Sequence, residues 1–588
     1  MQATPAISAG LPLQGGPRSR FRAPSTETVL FAVVLTVVLY LVLAPAVFLL
    51  WSSVRDTATR LPFEAGVPYS LVNYIDIYAD PSTYPVLWNT LLFTLGSVAL
   101  GLPISFAFAW LVERTNMPGR NVAFGLIVAP LALPGMLTAM GWVLLTSSNS
   151  GLINIILRSV FHLKGSGPLD VYNIWGMIFV QALTMVPGSF LLLLAAVRTM
   201  DPSHEEAALA SGAPRWQVLR RVTVPMLAPA LLAVVIYEGI AAMEAFEVPG
   251  VIGLNGGIFV LGTQIYEATH GSAGLANYGQ ASALAVLLVA LALVLLRYYR
   301  RFTNDAERYN TVSGKAYRQR QVELGAWRFA ALAGVLIYLL LAAVLPFFIL
   351  VWGSLLPFYQ PPAADLLPKL SLDGYNRILH NPIALGAFSN TVIMVAVTTV
   401  AILLITSLAA WLIVRSRIKG RGLLDVLTFL PHTLPSIVIG LAVMLVYLFL
   451  PIPIYGTIWI IVVGVATKHL AFPSRTLIAA QVQIHGELEE AAQVSGASPL
   501  LCFRKVVMPL MMPALVNTGV WVLMGSMREL SIALMLYNQR TAVLSTLIWN
   551  EWANGRVNDA SAYGVVLALM VVALSFAGRS LLIRPVQQ

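Results

Sequence analysis

Charged side chains are scarce in this sequence. They make up 11% of its 588 residues, whereas 58% of the residues are hydrophobic. A soluble domain usually carries about 25% charged residues. So few charges cannot cover a water-exposed surface of this size, which excludes an ordinary soluble protein. Most of the surface must therefore contact lipid or other protein.

The residues that build common reactive sites are also few or scattered. Cys502 is the sole cysteine, so the chain can form neither a disulfide framework nor a cysteine metal site. We expect Cys502 to be a small buried residue. The seven histidines are scattered, and no Ser/His/Asp constellation lies in a soluble domain. No G-x-x-x-x-G-K-[ST] loop occurs, so this chain lacks that route to ATP hydrolysis and is expected to bind no cofactor itself.

The net charge of +10 has two interpretations, nucleic-acid binding or basic loops at a membrane face. The basic residues fall in short segments between long apolar runs, which favours the membrane and argues against a nucleic-acid partner. Most of them lie in alternate segments, counted from a cytoplasmic N-terminus. This bias predicts a multi-pass protein of the bacterial inner membrane with both termini in the cytoplasm.

Long apolar runs are abundant. About 20 such residues span the hydrocarbon, and the backbone within it must form helices. The first run is too long for a signal peptide, and residues 1–28 before it predict a disordered cytoplasmic tail. Twelve spans are predicted, near 29–51, 89–112, 122–145, 174–197, 230–252, 279–297, 328–352, 390–414, 423–450, 455–480, 514–536 and 562–583.

The chain also repeats itself. The segment EEAALASGAPRWQVLRRVTVPMLAPAL recurs 284 positions later as EEAAQVSGASPLLCFRKVVMPLMMPAL. Asn89-Thr90 recurs as Asn390-Thr391, and the prolines at 130 and 134 recur at 431 and 435. The fold class predicted is an all-α membrane protein of two homologous six-helix halves. We place these halves at 29–297 and 328–588, joined by a cytoplasmic linker at 298–327, with the pore between parallel repeats.

Each copy of the repeated segment, at 201–229 and 485–513, predicts a short helix, a turn and a second short helix. Asp201 or Ser203 can cap the first helix. Gly212 and Gly496 suit a left-handed helix end. Pro225 and Pro509 are expected to break the chain before the next span. Such a segment can simply connect two spans, but two copies favour contact with a symmetric pair of partners.

These segments resemble the EAA motif of binding-protein-dependent ABC importer permeases, and the resemblance covers nearly the whole chain. It implies a type I permease whose motif docks on an ATP-binding subunit. The implied partners are two copies of that subunit, which use ATP, and a periplasmic or lipid-anchored binding protein, besides membrane lipid. The implied coupling residues are Glu206, Ala207, Ala208 and Gly212 in the first half and Glu490, Ala491, Ala492 and Gly496 in the second.

Fused permeases of this size resemble the ferric-iron uptake type. The segments that carry this likeness are 526–531, 543–549 and 246–253. Fused permeases for thiamine or 2-aminoethylphosphonate share the architecture, and polyamine permeases are relatives. An ion-coupled secondary transporter of twelve spans is the competing class.

Charged groups within the predicted spans are rare and usually face a cavity. Glu238, Glu244 and Glu247 lie in the fifth span, and a spacing of three puts the last two on one helix face. Arg528 and Glu529 occupy the corresponding place in the second half. Glu244, Glu247, Arg528 and Glu529 are candidates for the translocation pathway or its gate. Carboxylates suit a ferric substrate, but the same charges can instead pair across the two halves and fix their register.

Overall fold

The computed structural model describes residues 26–57, 60–201, 203–270, 276–306 and 322–583. The described residues form helices and turns, with two isolated bridges and no β-strand among them. This confirms the all-α prediction. Most of the predicted tail, residues 1–25, and the middle of the predicted linker, residues 307–321, lie outside the described residues.

Twelve α-helices precede residue 307. They are α1 Thr26–Ser53, α2 Val72–Ala79, α3 Thr83–Arg114, α4 Arg120–Val128, α5 Gly135–Thr146, α6 Leu152–Phe161, α7 Ile174–Thr199, α8 Ser203–Ala210, α9 Arg215–Val218, α10 Val224–Met243, α11 Leu261–His270 and α12 Tyr278–Ala306.

Fifteen α-helices follow residue 321 in the described part of the chain. They are α13 Trp327–Leu339, α14 Leu345–Ser354, α15 Asp373–His380, α16 Pro382–Arg415, α17 Arg421–Phe429, α18 Ser436–Phe449, α19 Ile458–Lys468, α20 Ala471–Gln483, α21 Glu487–Val494, α22 Pro499–Cys502, α23 Met508–Leu510, α24 Met512–Arg528, α25 Ser531–Leu536, α26 Leu544–Ala553 and α27 Val557–Ile583.

Shorter helical turns complete the secondary structure. The 3₁₀ turns are Ala129–Ala132, Ala364–Lys369 and Leu430–Thr433. The π turns are Leu219–Thr223, Pro249–Gly253, Leu340–Val344 and Phe503–Val507.

By length and composition, the described residues contain eight helices able to cross a membrane, or eleven if each bent helix pair is one span. The third predicted span of each half is one of these bent pairs rather than a straight helix. The chain turns by 90° between α4 and α5 and by 112° between α17 and α18. Leu133 and Leu434 are extended because each precedes a proline, which disfavours helical backbone there.

Three other predicted spans are interrupted. The span at 230–252 ends as a helix at Met243. The span at 455–480 consists of two shorter helices, α19 and α20. The predicted span at 514–536 ends as a helix at Arg528, and a separate short helix begins at Ser531. Polar backbone groups exposed by such interruptions are tolerated at membrane depth where they are buried in protein.

The expected break at Pro225 is wrong, because residues 215–243 form one apolar helical run. A π turn at 219–223 directly precedes this proline. The wider turn displaces the carbonyl group that the proline ring would otherwise strike. In the second half the helical run 499–510 also continues through Pro509 after a π turn, and the chain bends by 76° only at Met511.

The repeated Asn-Thr pairs perform the same structural task in both halves. Thr90 Oγ1 accepts a 2.9 Å hydrogen bond from the amide of Leu261, and Thr391 Oγ1 accepts one of 2.8 Å from the amide of Leu544. These amides belong to the first residues of α11 and α26, where a helix has no backbone partner of its own. The duplication in the sequence is therefore also a duplication of tertiary contacts.

The first long helix of each sequence half packs against the other half. Helix α1 lies against α16, α17 and α18, and Tyr40 donates a 2.9 Å hydrogen bond to the Tyr447 hydroxyl. Reciprocally, α14 lies against α5, and Trp142 Nε1 donates to the carbonyl of Leu341 at 3.2 Å. One apolar core thus extends across both halves.

Both repeated segments lie at the same end of this bundle. Phe31, near the start of α1, lies beside Gly420 just beyond α16, and Ser52 at the far end of α1 bonds to the carbonyl of Tyr278. Helix α3 begins at that far end, because Asn73 of α2, the helix that precedes it, bonds to the carbonyls of Ser53 and Arg55. Helix α3 then returns and ends beside the first repeated segment, at the end where α1 began.

Candidate functional site

The two repeated segments have the same local structure. The first comprises α8, a turn at Gly212 and α9, and the second comprises α21, a turn at Gly496 and α22. Gly212 has φ +83° and Gly496 φ +88°. The amide of Ala213 bonds to Ala208 at 3.1 Å, and the amide of Ala497 bonds to Ala492 at 3.0 Å. This is the Schellman arrangement, which requires a left-handed residue and therefore favours glycine.

The candidate coupling residues show one pattern of exposure in both halves. Glu206, Ala207 and Gly212 are exposed and Ala208 is half-buried. Glu490, Ala491 and Gly496 are likewise exposed, and Ala492 is half-buried. A Cβ atom added to either glycine would meet nothing within 4 Å. Each segment thus presents a short helix with a flat alanine surface that is free to contact another molecule.

Asp201, one of the two residues expected to cap α8, lies two residues before the helix begins. Its Oδ1 accepts a 2.9 Å hydrogen bond from the amide of Ser203, which is already the first residue of the helix. The hydrogen bonds from Ser203 lower the pKa of the Asp201 carboxyl group. The carboxylate is therefore kept ionised beside the positive end of the helix dipole.

In each segment, the residue before the motif glutamate is also a glutamate, and it contacts the membrane helices. Glu205 lies 3.8 Å from Arg114, the last residue of α3, and also accepts a hydrogen bond from Thr223. Glu489 lies 2.7 Å from Arg415, the last residue of α16, and accepts a 3.0 Å hydrogen bond from Trp411. The interpretation of the sequence missed these residues. Their signal was present, since Glu205 and Glu489 stand 284 positions apart like the rest of the motif.

The interior charges are distributed differently from the prediction. Helix α10 ends at Met243, so Glu244 and Glu247 do not share a helix face. Glu244 accepts hydrogen bonds of 3.2 Å at both carboxylate oxygens from Lys468, a residue of the other half that the sequence interpretation overlooked. Glu247 instead accepts a 2.9 Å hydrogen bond from the amide of Met136, at the start of α5.

The charged residues of the second half likewise bond either to the other half or to the start of a short helix. Arg528 donates a 2.7 Å hydrogen bond to the carbonyl of Leu131 in the first half. Glu529 accepts a 3.2 Å hydrogen bond from the amide of Ile532, at the start of α25. Glu238 lies within α10 and accepts a 2.8 Å hydrogen bond from Ser189. Glu244, Lys468 and Arg528 therefore join the halves, while Glu247 and Glu529 hold the starts of short interior helices.

A cavity of about 600 Å³ lies between the halves at this level. Tyr237 and Glu244 line it from the first half, and His432, Lys468, Trp521 and Glu529 line it from the second. The ring of Tyr237 stacks on that of His432, with centroids 5.4 Å apart. Among the described residues, no group of three or more His, Cys, Asp or Glu side chains could hold a metal ion. The cavity combines aromatic walls with one ionic contact between the halves.

Comparison with known proteins gives close relatives in sequence. The ferric transport system permease protein FbpB of Actinobacillus pleuropneumoniae is 28% identical over 477 residues, which cover 80% of this chain and 67% of that protein. The probable ABC transporter permease protein y4fN of Sinorhizobium fredii is 29% identical over 507 residues, which cover 84% and 86%. A solved bacterial ABC transporter involved in the import of alginate matches 50% of this chain and 100% of its own, with 18% identity and a TM-score of 0.36.

The family model described as "Binding-protein-dependent transport system inner membrane component" matches the chain twice, at residues 89–308 and 401–582. The two matches together cover more than half of the chain, and each contains one repeated segment and the bent helix pair before it. The chain therefore belongs to the binding-protein-dependent transport system inner membrane components, the multi-pass membrane permease subunits of ABC importers.

Proposed function

We propose that this chain forms the translocation pathway for ferric iron, which is delivered by a periplasmic or lipid-anchored binding protein. Two copies of a separate ATP-binding subunit provide the energy by hydrolysing ATP. The chain itself performs no covalent chemistry and binds no cofactor. The proposal follows the fused two-half architecture and the relatives named as ferric transport permeases.

The duplicated, exposed segments carry this proposal. Two short helices with the same exposed motif alanine and the same glycine turn lie at one end of the bundle. Two equal docking elements fit two copies of one motor subunit. In this orientation the docking end and both termini face the cytoplasm, where ATP is available.

The cavity between the halves is the proposed inner part of the pathway. Its contact between Glu244 and Lys468 joins the halves, so it must lengthen when the halves separate on this side. In this role Glu244 and Lys468 act as a gate and need not bind substrate. Glu247, Arg528 and Glu529 would support that gate by fixing the ends of the interior helices.

The choice of ferric iron is tested by uptake. Cells with and without this chain are given radiolabelled ferric iron, thiamine or 2-aminoethylphosphonate. We expect deletion to remove the uptake of iron alone, and expression of the chain from a plasmid to restore it. Loss confined to thiamine or to the phosphonate would contradict the iron proposal.

The competing class, an ion-coupled secondary transporter, makes a different prediction for the purified chain. Such a transporter works in vesicles without an ATPase, driven by an ion gradient. The proposed importer is inactive in vesicles that lack the ATP-binding subunit. Transport by the chain alone would contradict the importer mechanism.

A further inference from the structure

The two repeated segments are each held by an arginine that sits at the meeting point of three elements. Arg114 is the last residue of α3, is 97% buried, and donates to the carbonyls of Val197 and Met200 at 3.0 and 2.7 Å. Val197 lies in the last turn of α7 and Met200 directly follows that helix, where carbonyl groups are left without backbone partners. The same guanidinium group lies 3.8 Å from Glu205 of α8.

The second half repeats this junction at the matching positions. Arg415 is the last residue of α16 and donates to the carbonyl of Ile484, which directly follows α20. Its Nε lies 2.7 Å from Glu489 Oε1 in α21. Met200 and Ile484 are 284 positions apart, as are Glu205 and Glu489. The arginine, the glutamate and one carbonyl acceptor of the junction are therefore duplicated.

The exposure of neighbouring residues separates two roles within each segment. Glu489 is 5% exposed and Glu205 is half-buried, whereas Glu490 and Glu206 beside them are exposed. A buried carboxylate paired with arginine is costly to leave unpartnered, while an exposed one is free to contact another protein. One face of each short helix thus packs against the membrane helices, and the opposite face is exposed.

We propose that Arg114 with Glu205, and Arg415 with Glu489, are positioning residues that make each docking segment move as one body with the two long helices above it. This inference rests on the proposed function, since it assigns the path by which motion of the motor reaches the membrane helices. Glu206 and Glu490 contact the motor, and the two arginine–glutamate pairs transmit its displacement to the long helices. Arginine suits this task because its planar group can bond a carboxylate and carbonyl oxygens at once.

The test compares paired neighbours on the same helix. Hydrogen–deuterium exchange is measured on the purified chain in lipid nanodiscs. The test variant carries Glu205→Ala and Glu489→Ala, and the matched control carries Glu206→Ala and Glu490→Ala. We expect amide exchange at 203–213 and 487–497 to accelerate at least about tenfold in the test variant, because the segments detach locally. The control should exchange like the wild type.

Milder variants keep the test decisive if the alanine variant does not insert. Glu489→Gln retains the shape and the hydrogen-bond acceptor for Trp411 but removes the charge, so a smaller acceleration confined to 487–497 is expected. Arg415→Lys retains the charge but cannot bond both acceptors, and should accelerate the same amides. Arg377→Gln removes an exposed ion pair with Asp559, outside both segments, and should leave exchange at both segments unchanged.

Uptake and ATP hydrolysis of the assembled transporter then complete the assignment. We expect the test variant to hydrolyse more ATP for each substrate ion imported, because motion of the motor no longer reaches the pathway. Unchanged exchange in every variant of the buried pairs would overturn the positioning role. Faster exchange with uptake and ATP consumption like the wild type would instead overturn the proposed docking function of the segments.

Discussion

A single ammonium group joins the two halves inside the bundle. Lys468 Nζ reaches both oxygens of Glu244 and, at 3.0 Å, the carbonyl of Leu434. The side chains of Lys468 and Glu244 are 16% and 19% exposed, so the pair is largely desolvated. A desolvated pair adds little net stability over apolar residues of the same volume, but loss of one partner leaves the other charge unpaired.

This asymmetry predicts a non-additive pair of substitutions. Lys468→Met leaves Glu244 unpaired and should destabilise the protein by about 3 kcal/mol, the low end for a buried pair because some water reaches it. The double variant Lys468→Met with Glu244→Leu should be more stable than Lys468→Met alone. The measurement is thermal unfolding in one detergent at a fixed concentration. A double variant whose loss equals the sum of the two single losses would show that the residues do not interact.

The sequence identified only one member of this pair. Glu244 stands out because a carboxylate within an apolar stretch is rare. Lys468 lies at the end of an equally apolar helix, where a cation is commonplace, and its partner is 224 residues away. A pair of this kind follows from tertiary packing, which residue spacing cannot provide.

The short helices at the docking end were predicted well, whereas the interior breaks were not. Gly212 and Gly496 end their helices as the motif requires, because a left-handed residue has a local sequence signal. The end of α10 at Met243 has no such signal, since the residues around it suit a helix. The break there is stabilised by Glu244 and Glu247, whose partners come from other parts of the chain.

At the scale of single elements, a control substitution at another glycine distinguishes backbone strain from loss of docking. Gly212→Trp with Gly496→Trp places bulk on the open faces, and each change costs about 1–2 kcal/mol of backbone strain. Gly555 has φ +75°, equally free surroundings and a place at the opposite end of the bundle. We expect the double variant to lower uptake at least about tenfold through lost coupling. Gly555→Trp should stay within about a factor of two of wild-type uptake.

The measurement for this comparison is initial uptake rate per molecule of chain in the membrane. Quantifying the chain removes any difference in expression among the three variants. Equal losses in the double variant and in Gly555→Trp would attribute the effect to backbone strain alone. Wild-type uptake in the double variant would contradict the docking role of the segments.

At the scale of the whole molecule, the exchange of first helices holds the halves together. Val38 and Val42 of α1 are fully buried in a cluster that includes Trp411, Leu477 and Phe503 of the second half. The sequence revealed the duplication, but it did not reveal that the first helix of each half packs against the other half. Hydrophobic runs show that helices exist, and they carry no information on which half each helix contacts.

The crossing predicts that the halves associate without a covalent link. Residues 1–306 and 322–588, expressed together as separate chains with a tag on one, should co-purify in detergent. Removal of residues 1–53 from the first chain should reduce recovery of its partner strongly, because the α1 contacts with the second half are lost. Equal recovery with and without α1 would show that contacts elsewhere suffice. The amount of each chain in the purified sample is measured by gel densitometry.

The partner of Tyr40 is Tyr447, 407 residues further along the chain. At a synthesis rate of 5–20 residues per second, the ribosome adds these two residues roughly 20–80 seconds apart. During that interval α1 already resides in the bilayer, while the surface it will cover does not yet exist. Until the second half is made, lipid must cover the face of α1 that carries Val38 and Val42. Helix α1 is therefore the first helix to be made, yet it completes its contacts only after the second half has been synthesised.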